Sequence, residues 1–334
     1  MKNYTVAVLG ATGAVGREML RVLQERKFPV GRLIALGSER SEGKTVTFAG
    51  EEIPVLTAQN GCFAGCDIVL GAADNDTALS FAPEIREAGA VFVDNSSAFR
   101  QHPQVPLVVP QINPEDVKSH QGIISNPNCT TAITLTAIAP LRALSPILSL
   151  QASTYQAVSG AGIGGPAELQ QQVLALSRGE KYEPQVFPYQ IAYNLIPQIG
   201  GEQELGYTSE EMKLQYEGRK ILHLPEFTAS CTCVRVPVMR SHSVSACISF
   251  ADHVEVADAR QILREAPGCR LLDDLGAGEY PMPLAASDQD LVLVGRLRPD
   301  LTDPNRLHLW CCGDQLRKGA ATNAIEIAEL LIQA

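Results

Sequence analysis

The segment "SNPNCTT", at residues 125–131, places one cysteine among residues able to position and activate it. Cys129 follows an apolar run typical of a strand and precedes apolar residues at helical spacing, which predicts a thiol at a helix N-terminus. Free N–H groups and the helix dipole stabilise a thiolate there. Pro127 restricts the approaching chain, and Asn128 is placed to orient a substrate oxygen. The alternative for any single cysteine is a small buried residue without chemistry.

A glycine-rich turn near the start of the chain predicts a second binding function. "GATGAVG" places Gly10, Gly13 and Gly16 between an apolar strand pattern and a helical pattern. Glycines at a strand–turn–helix junction allow backbone N–H groups to approach a pyrophosphate. We therefore predict a dinucleotide site, to which Thr12, Ala14 and Val15 of the same turn also contribute.

The segment after the second strand pattern favours NADP as the cofactor. An NAD site usually has an acidic residue at the end of this strand, where it binds the ribose hydroxyls. Here the segment reads "LGSERSEGK", in which Ser38, Arg40 and Ser41 supply donors and positive charge for a 2′-phosphate. Glu39 opposes this interpretation, and a solvated loop of mixed charge is the alternative.

The elements needed to position these residues alternate between strand and helix patterns. Up to residue 127 the rhythm predicts a Rossmann-type parallel sheet, ending in two short strands at "PLVVPQIN" and "GIISNPN". Longer, partly alternating strands then predict an α+β domain with a mixed sheet over residues 128–313. The last segment, residues 314–334, reads as a helix that returns to the nucleotide domain.

Composition excludes several classes of function. The 334 residues carry a formal net charge of -10 and contain no run of basic residues. We therefore expect neither a nucleic acid nor an anionic membrane surface as a partner. No targeting segment or membrane-length apolar run is visible, so we expect a cytoplasmic protein. Nine cysteines without zinc-type spacing to histidines predict thiols and no metal site.

Eight motifs in order resemble the aspartate-β-semialdehyde dehydrogenase family over nearly the whole chain. They are "GATGAVG", "SERSEGK", "DNSSAFR", "SNPNCTT", "TYQAVSGAG", "GYTSEEMK", "RVPVMRSH" and "GDQLRKGAATN". This family reversibly converts L-4-aspartyl phosphate and NADPH into L-aspartate 4-semialdehyde, phosphate and NADP⁺, in lysine, threonine and methionine biosynthesis. The resemblance implies a small-molecule substrate and a homodimer or homotetramer.

The resemblance also implies catalytic roles for three residues. Cys129 corresponds to the nucleophile that forms the acyl thioester. His242 corresponds to the acid/base catalyst, and the ordinary pKa of histidine suits proton transfer at neutral pH. Gln156 corresponds to the residue that orients the acyl group.

Substrate and cofactor contacts follow from the same resemblance. Arg235, expected on one strand with His242, matches the residue that binds the substrate α-carboxylate through its guanidinium fork. Glu210 matches the contact to the α-amino group, although Glu211 is adjacent. Arg100 and Lys213 match the phosphate-binding cations. The cofactor contacts implied are Ser159, Gly160 and Gln315, with Gln315 expected on the last helix.

Two other functions remain open from the sequence. An N-acetyl-glutamyl-phosphate reductase shares the plan but has glycine where this chain has Asn128, and glyceraldehyde-3-phosphate dehydrogenases place their histidine much nearer the cysteine. A non-catalytic NADP-binding paralogue would be favoured by loss of Cys129 or His242, and both are present.

Overall fold

The computed structural model describes residues 2–333, which divide into two compact units. The first unit contains the described residues up to Asn128 and those from Gly319 onward, and the second is Cys129–Lys318. The expected boundary after residue 127 lies one residue before this division, and the expected return at 314 lies five residues before Gly319.

The described residues form strands and helices that alternate in the first part of the chain, and their bounds are as follows. The strands are β1 (Tyr4–Leu9), β2 (Val30–Gly37), β3 (Thr45–Phe48), β4 (Glu51–Thr57), β5 (Ile68–Gly71), β6 (Val91–Asp94), β7 (Ile123–Ser125), β8 (Ile147–Gln156), β9 (Thr228–Arg235), β10 (His242–Phe250), β11 (Cys269–Leu271), β12 (Val292–Pro299) and β13 (Arg306–Gly313). The helices are α1 (Ala14–Glu25), α2 (Asn75–Glu87), α3 (Cys129–Ile138), α4 (Gly164–Ser177), α5 (Ser209–Leu222), α6 (Val256–Glu265), α7 (Pro283–Ala286) and α8 (Thr322–Gln333). Within residues 2–333, no helix is both long and apolar enough to cross a membrane.

The first unit is a doubly wound sheet with helices on both faces. Its strand order is β3-β4-β2-β1-β5-β6-β7, and every neighbouring pair except β3–β4 is parallel. Met19 and Leu23 of α1 and Ile325 of α8 share one core with the sheet, while Ala78 and Ile85 of α2 belong to a second core. Central parallel strands buried on both faces read as continuous apolar runs, which is why the sequence predicts them. The expected fold class is confirmed.

The segment "PLVVPQIN" is not the strand that the sequence predicts. Only Leu107 forms a bridge, to Ser125. Backbone bonds join Pro106 and Val108 to Ser125, at 2.8 and 3.1 Å. Beyond them the Asn113 side chain accepts the Val109 N–H at 2.9 Å and donates to the Leu107 carbonyl at 2.8 Å, so the ladder is not continued. Pro106 and Pro110 remove two further donors. The apolar residues that suggested a strand are buried for packing instead.

The second unit is built on a mixed six-stranded sheet in the order β11-β12-β13-β10-β8-β9. Strand β8 lies between β10, to which it is antiparallel, and β9, to which it is parallel. Alternate residues of β10, such as Val244, Ala246 and Ile248, are at most 1% exposed, and those between them are partly exposed or near the strand start. Helices α3, α5 and α6 pack on the sheet. This mixed sheet agrees with the α+β domain predicted.

The glycine turn of the first unit has no room for side chains at two positions. Gly10 has φ of +90°, and a Cβ there would lie 2.5 Å from the Ala72 carbonyl oxygen. A Cβ on Gly16 would lie 2.2 Å from the Gly10 carbonyl oxygen, whereas one on Gly13 would lie 3.3 Å from that atom. Helix α1 therefore begins directly against the end of β1 because Gly16 lacks a side chain.

These distances predict that a side chain is not tolerated at Gly16 but is tolerated at Gly13 of the same turn. Gly16→Ala should destabilise the protein by about 1–3 kcal/mol, since the backbone must shift to remove the overlap. Gly13→Ala is the matched control and should change stability by less than about 1 kcal/mol. Denaturant unfolding of both variants measures this, and equal loss in the two would contradict the proposed packing.

Candidate active site

Cys129 is the first residue of α3, as the sequence predicts. The nine residues that follow it in the helix are all buried, while Cys129 is only partly buried. Burial raises the pKa of the thiol at six other cysteines, namely Cys62, Cys66, Cys247, Cys269, Cys311 and Cys312. Cys129 differs from these six by its position at the positive end of a helix, which favours the thiolate.

Sheet topology brings three predicted residues to one end of the second unit. Gln156 is the last residue of β8, and Arg235, the last of the parallel strand β9, is its direct partner. His242 begins the antiparallel strand β10 and so lies at the same end. The expectation that Arg235 and His242 share one strand is wrong. The connection contains Pro237 and Ser241, whose φ is +74°, and neither fits a continuous ladder.

The backbone of Ala157 joins two of these side chains. Its N–H donates to Nδ1 of His242 at 3.1 Å, and its carbonyl accepts from Nη1 of Arg235 at 2.8 Å. Gly160 lies over both side chains, because a Cβ there would be 2.7 Å from Arg235 Nη1 and 3.3 Å from His242 Nε2. A larger residue at position 160 would displace the arginine.

His242 is neutral at physiological pH. The side chain is fully buried, and burial together with the nearby Arg235 charge lowers its pKa to about 3, against a weaker opposing effect of Glu210. Because Nδ1 accepts a hydrogen bond from Ala157, the single proton of the neutral ring lies on Nε2. Nε2 has no hydrogen-bond partner among residues 2–333. The ordinary histidine pKa, on which the acid/base expectation relied, does not apply here.

Glu210 and Glu211 have different environments. Glu211 completes a capping box with Thr208 at the start of α5, and its other oxygen accepts the Cys233 N–H at 2.9 Å. Glu210 instead accepts from Gln156 Nε2 at 3.1 Å and from Lys213 Nζ at 2.9 Å. Glu211 therefore holds α5 against β9, and Glu210 faces the predicted residues.

Arg235 is buried and remains close to two acidic groups. Burial lowers the pKa of Arg235, and the Cys129 and Glu210 groups act in the opposite direction, which places both groups within electrostatic reach of Arg235. Its guanidinium carbon lies 6.0 Å from the centroid of the Phe187 ring. The second unit thus brings together Cys129, Gln156, Glu210, Arg235 and His242.

Gln315 is not on the last helix. Strand β13 ends at Gly313, and the Asp314 carboxylate accepts the N–H groups of Leu316 and Arg317 at 2.9 and 3.3 Å. This turn precedes a short π-helix (Arg317–Ala321), so α8 starts only at Thr322. Gln315 donates to the Ser159 hydroxyl and accepts the Ser241 N–H at 2.8 Å, so it lies near the β10 start.

The first unit holds the remaining predicted residues. Arg100 is 7% exposed, and donates to the carbonyl oxygens of Asn126 at 2.9 Å and Asn95 at 2.7 Å. These carbonyls follow β6 and β7, at the carboxyl end of the sheet. Asn128, also buried, is the last residue of this unit.

A cavity of about 450 Å³ in the first unit fits part of a dinucleotide. Gly10, Thr12 and Gly13 line one side, and Ser38, Arg40 and Ser41 lie at the end of β2 on another. The hydroxyls of Thr12 and Ser41 are 3.0 Å apart, which ties the glycine turn to the segment after β2. The absence of side chains at Gly10 and Gly13 lets a pyrophosphate approach the start of α1, where the first N–H groups have no partner within the helix. The donor set therefore fits a nicotinamide dinucleotide.

Glu168 and Gln172 of α4 hold a long irregular segment beside Arg235, a role that the sequence does not predict. Glu168 is 2% exposed and accepts the N–H groups of Gln185, Val186 and Phe187. Gln172 accepts the N–H groups of Ile191 and Ala192 at 2.8 and 2.9 Å. The i, i+4 spacing alone resembles an exposed polar face, so only the structure reveals that both side chains are buried.

Comparisons with family models and with known proteins show which family the chain resembles. Residues 5–120 match the model described as semialdehyde dehydrogenase, NAD binding domain, and residues 138–318 match semialdehyde dehydrogenase, dimerisation domain. The chain is 48% identical over 328 residues to an aspartate-semialdehyde dehydrogenase of Synechocystis, covering 98% of this chain and 97% of the relative. The chain belongs to the aspartate-semialdehyde dehydrogenase family. The resemblance inferred from the eight motifs is confirmed.

Solved structures of the family share the whole fold. That of aspartate semialdehyde dehydrogenase II from Vibrio cholerae, complexed with ASA, superimposes with a TM-score of 0.97 at 40% identity, covering 100% of this chain and 99% of that one. A Candida albicans aspartate semialdehyde dehydrogenase with NADP gives 0.77 at 26% identity, with 99% of each chain covered. This family member therefore has a nicotinamide-cofactor domain and a dimerisation domain.

The buried neutral state of His242 predicts an acid-dependent loss of stability. The pKa of His242 in the folded chain, about 3, lies below the ordinary value of about 6.5. At a pH between these two values, the unfolded chain therefore binds more protons than the folded chain. Stability therefore falls as pH drops through this interval, by up to about 1.4 kcal/mol per pH unit. His242→Asn keeps an acceptor for Ala157 and should flatten this dependence.

His253→Asn is the control for that measurement. His253 is exposed, and the Pro304 carbonyl and the Glu255 carboxylate raise its pKa. Its contribution to the pH dependence of stability therefore has the opposite sign. Denaturant unfolding from pH 7 to pH 4 compares both variants with the unmodified protein. An unchanged slope in His242→Asn would contradict a neutral buried imidazole.

Removal of Glu168 should loosen the segment that it holds. Glu168→Ala leaves three N–H groups without their acceptor, at a cost of about 1–3 kcal/mol each where water cannot replace it. We expect amide exchange at residues 185–187 to accelerate at least about tenfold. Glu183→Ala, at an exposed position of the same segment, is the control, and similar protection in both variants would contradict the role of Glu168.

Proposed function

We propose that the protein catalyses the reversible NADP-dependent reductive dephosphorylation of L-4-aspartyl phosphate to L-aspartate 4-semialdehyde and phosphate, in the biosynthesis of lysine, threonine and methionine. The carrying observation is the cluster in the second unit, where the buried Arg235 lies within electrostatic reach of both Glu210 and the Cys129 thiol at a helix N-terminus. Family membership and the ASA complex of the Vibrio cholerae relative support the same substrate class.

Cys129 is the nucleophile in this proposal. Its sulfur attacks the acyl carbon of the aspartyl phosphate, the bond between that carbon and the phosphate oxygen breaks, and phosphate leaves with the bonding electrons. A thioester with Cys129 remains. When bound, the nicotinamide cofactor supplies the hydride that reduces this thioester. The resulting thiohemiacetal on Cys129 loses the sulfur, which releases the aldehyde and restores the thiolate.

His242 stabilises the oxygen of the reacting carbon in its neutral form. The Nε2–H group, with Nδ1 occupied by Ala157, donates a hydrogen bond to the oxyanion of each tetrahedral intermediate. In the reductive direction this oxyanion becomes the aldehyde carbonyl without taking up a proton, so a neutral imidazole that only donates a hydrogen bond is sufficient. We thus refine the acid/base role to hydrogen-bond donation.

Recognition of the amino-acid head uses opposite charges. Arg235 binds the α-carboxylate as a bidentate fork, and its Ala157 contact uses only one of its donors. Glu210 binds the α-ammonium group, and Gln156, bonded to Glu210, orients the acyl group together with Asn128. Arg100 and Lys213 bind the phosphate, whose charge matches two cations.

The cofactor is NADP rather than NAD in this proposal. Ser38, Arg40 and Ser41 at the end of β2 bind the 2′-phosphate, and the Thr12–Ser41 hydrogen bond positions them. Ser159, Gly160 and Gln315 lie near the nicotinamide. We also propose a homodimer or a homotetramer, and the cytoplasm as the location, because its reducing conditions keep Cys129 a thiol.

The test follows NADPH absorbance with L-aspartate semialdehyde and NADP⁺, with and without phosphate. NADPH should form only with phosphate, because phosphate must cleave the thioester. Cys129→Ser should reduce kcat at least about 10³-fold, and Cys62→Ser, at a partly buried cysteine of the first unit, should leave it unchanged. Arg235→Lys should mainly raise KM for the semialdehyde, at least about tenfold, since the fork is lost.

Two outcomes would overturn the proposal. Phosphate-independent NADPH formation would indicate hydrolysis or another acceptor, and equal, mild effects of Cys129→Ser and Arg235→Lys would contradict the assigned roles. Arg40→Ala tests the cofactor separately, since it should raise KM for NADP⁺ and leave that for NAD⁺ unchanged.

A further inference from the structure

Two residues near the start of β10 and the end of β13 have a backbone conformation that is uncommon outside glycine. Ser241, which directly precedes His242, has φ of +74°, and Asp288 has φ of +60°. Such residues keep this conformation only where surrounding contacts hold them in it. Both residues donate their backbone N–H to the turn after β13, Ser241 to Gln315 and Asp288 to Asp314. The contacts of this turn therefore decide the backbone position from which the His242 ring projects.

The carboxylate of Asp314 is the centre of these contacts. It is fully buried, and its Oδ1 accepts the N–H groups of Leu316 and Arg317 within its own turn. Its Oδ2 accepts the Asp288 N–H at 2.7 Å and Nε of Arg240 at 2.6 Å. The Arg240 guanidinium also lies 3.1 Å from the Asp288 carboxylate. Arg240 thus balances the buried charge of Asp314 and ties the chain before β10 to the turn.

Gln315 carries the position of this turn to the segment that covers the His242 ring. Its Oε1 accepts the Ser241 N–H at 2.8 Å, and its Nε2 donates to the Ser159 hydroxyl. Ser159 precedes Gly160, where a Cβ would lie 3.2 Å from Cε1 of His242. One buried amide therefore sets both the residue before His242 and the segment that packs over its ring.

We propose that Arg240 is a positioning residue for His242. It acts through the turn that contains Asp314 and Gln315. Its role rests on the proposed function, because the position of the His242 donor matters for catalysis only where an oxyanion forms beside it. Removal of one partner from a buried ion pair leaves an uncompensated charge, so the turn must rearrange. A displacement of about 1 Å at a reacting centre can reduce a rate by about 10²-fold, so a small rearrangement is sufficient.

A second ion pair of the same unit provides a matched control. Arg260 of α6 donates through Nε to the Asp273 carboxylate at 2.8 Å, and the Asp273 side chain is 5% exposed. Asp273 also accepts the Leu297 N–H at 3.3 Å, as Asp314 accepts backbone N–H groups. Within residues 2–333, the side-chain hydrogen bonds of this pair join α6 to β12. Arg260→Gln thus removes the same type of bond as Arg240→Gln, without a connection to the turn after β13.

The kinetic test compares these variants in the NADPH assay with the full-length protein. Arg240→Gln should lower kcat by about 10–100-fold and change KM for the semialdehyde by less than about twofold, because Arg235 and Glu210 keep their own contacts. Arg260→Gln should leave kcat and KM unchanged, even where denaturant unfolding shows an equal loss of stability in the two variants.

A second readout follows the His242 ring without the reaction. In ¹⁵N-histidine NMR, His242→Asn identifies the signals of this ring, which in the unmodified protein should show a single proton on Nε2. Arg240→Gln should shift these signals or produce a mixture of the two tautomers. Arg260→Gln should leave them unchanged.

Asp314→Asn tests the same pair from its other side and serves where Arg240→Gln does not fold. The asparagine keeps an oxygen for the Leu316 and Arg317 N–H groups and loses the charge that pairs with Arg240. It should show a similar loss of kcat. The double variant Arg240→Gln/Asp314→Asn should lose no more than about twofold beyond either single change, since both act through one contact.

Three results would overturn the proposal. They are unchanged His242 signals in Arg240→Gln, an equal loss of kcat in Arg240→Gln and Arg260→Gln, and additive losses in the double variant. Absence of NADPH formation by the unmodified protein would contradict the proposed function instead. The NMR comparison then still decides whether Arg240 positions the His242 ring.

Discussion

The peptide groups of Ala157 are the point on which the candidate active site depends. Its N–H fixes the His242 ring, and its carbonyl fixes Arg235, while the residue itself follows Gln156 at the end of β8. Three side chains on three strands are thus positioned by one buried backbone segment. This is possible only because β8 has a parallel neighbour on one side and an antiparallel neighbour on the other. Two antiparallel neighbours would place Arg235 at the far end of the sheet.

The same arrangement determines the electrostatics. Arg235 is buried next to His242, and a positive charge in a poorly solvated environment disfavours a second one, so the imidazole stays neutral. Glu210 partly offsets the arginine charge, and Lys213 and Gln156 in turn bind Glu210. A histidine held neutral keeps its Nε2 proton over a wide pH range. The site therefore presents a fixed donor, where an ordinary histidine would alternate between two protonation states near neutral pH.

Local patterns in the sequence predict the first unit well, because its strands are buried on both faces and its helices are amphipathic. The start of α3 at Cys129 was predictable from the change of periodicity alone. Properties that depend on which distant segments pair with each other were not predictable from local patterns. The break between Arg235 and His242, the turn at Gln315 and the loop contacts of Glu168 each require knowledge of a partner distant in sequence. The segment "PLVVPQIN" failed because apolar residues are buried in irregular structure as well as in strands.

The register of the second sheet shows the same limit from the other side. Cys247 and His308 are distant in sequence, and only the β10–β13 register makes them neighbours. That register also separates both residues from the reaction. Side chains alternate between the faces of a strand, so His242 and Cys247, five residues apart on β10, point to opposite faces. At roughly 3.3 Å per residue they are also about 17 Å apart along the strand. Cys247 therefore cannot contact the reacting atoms of the same chain, and the two faces of one strand serve different contacts.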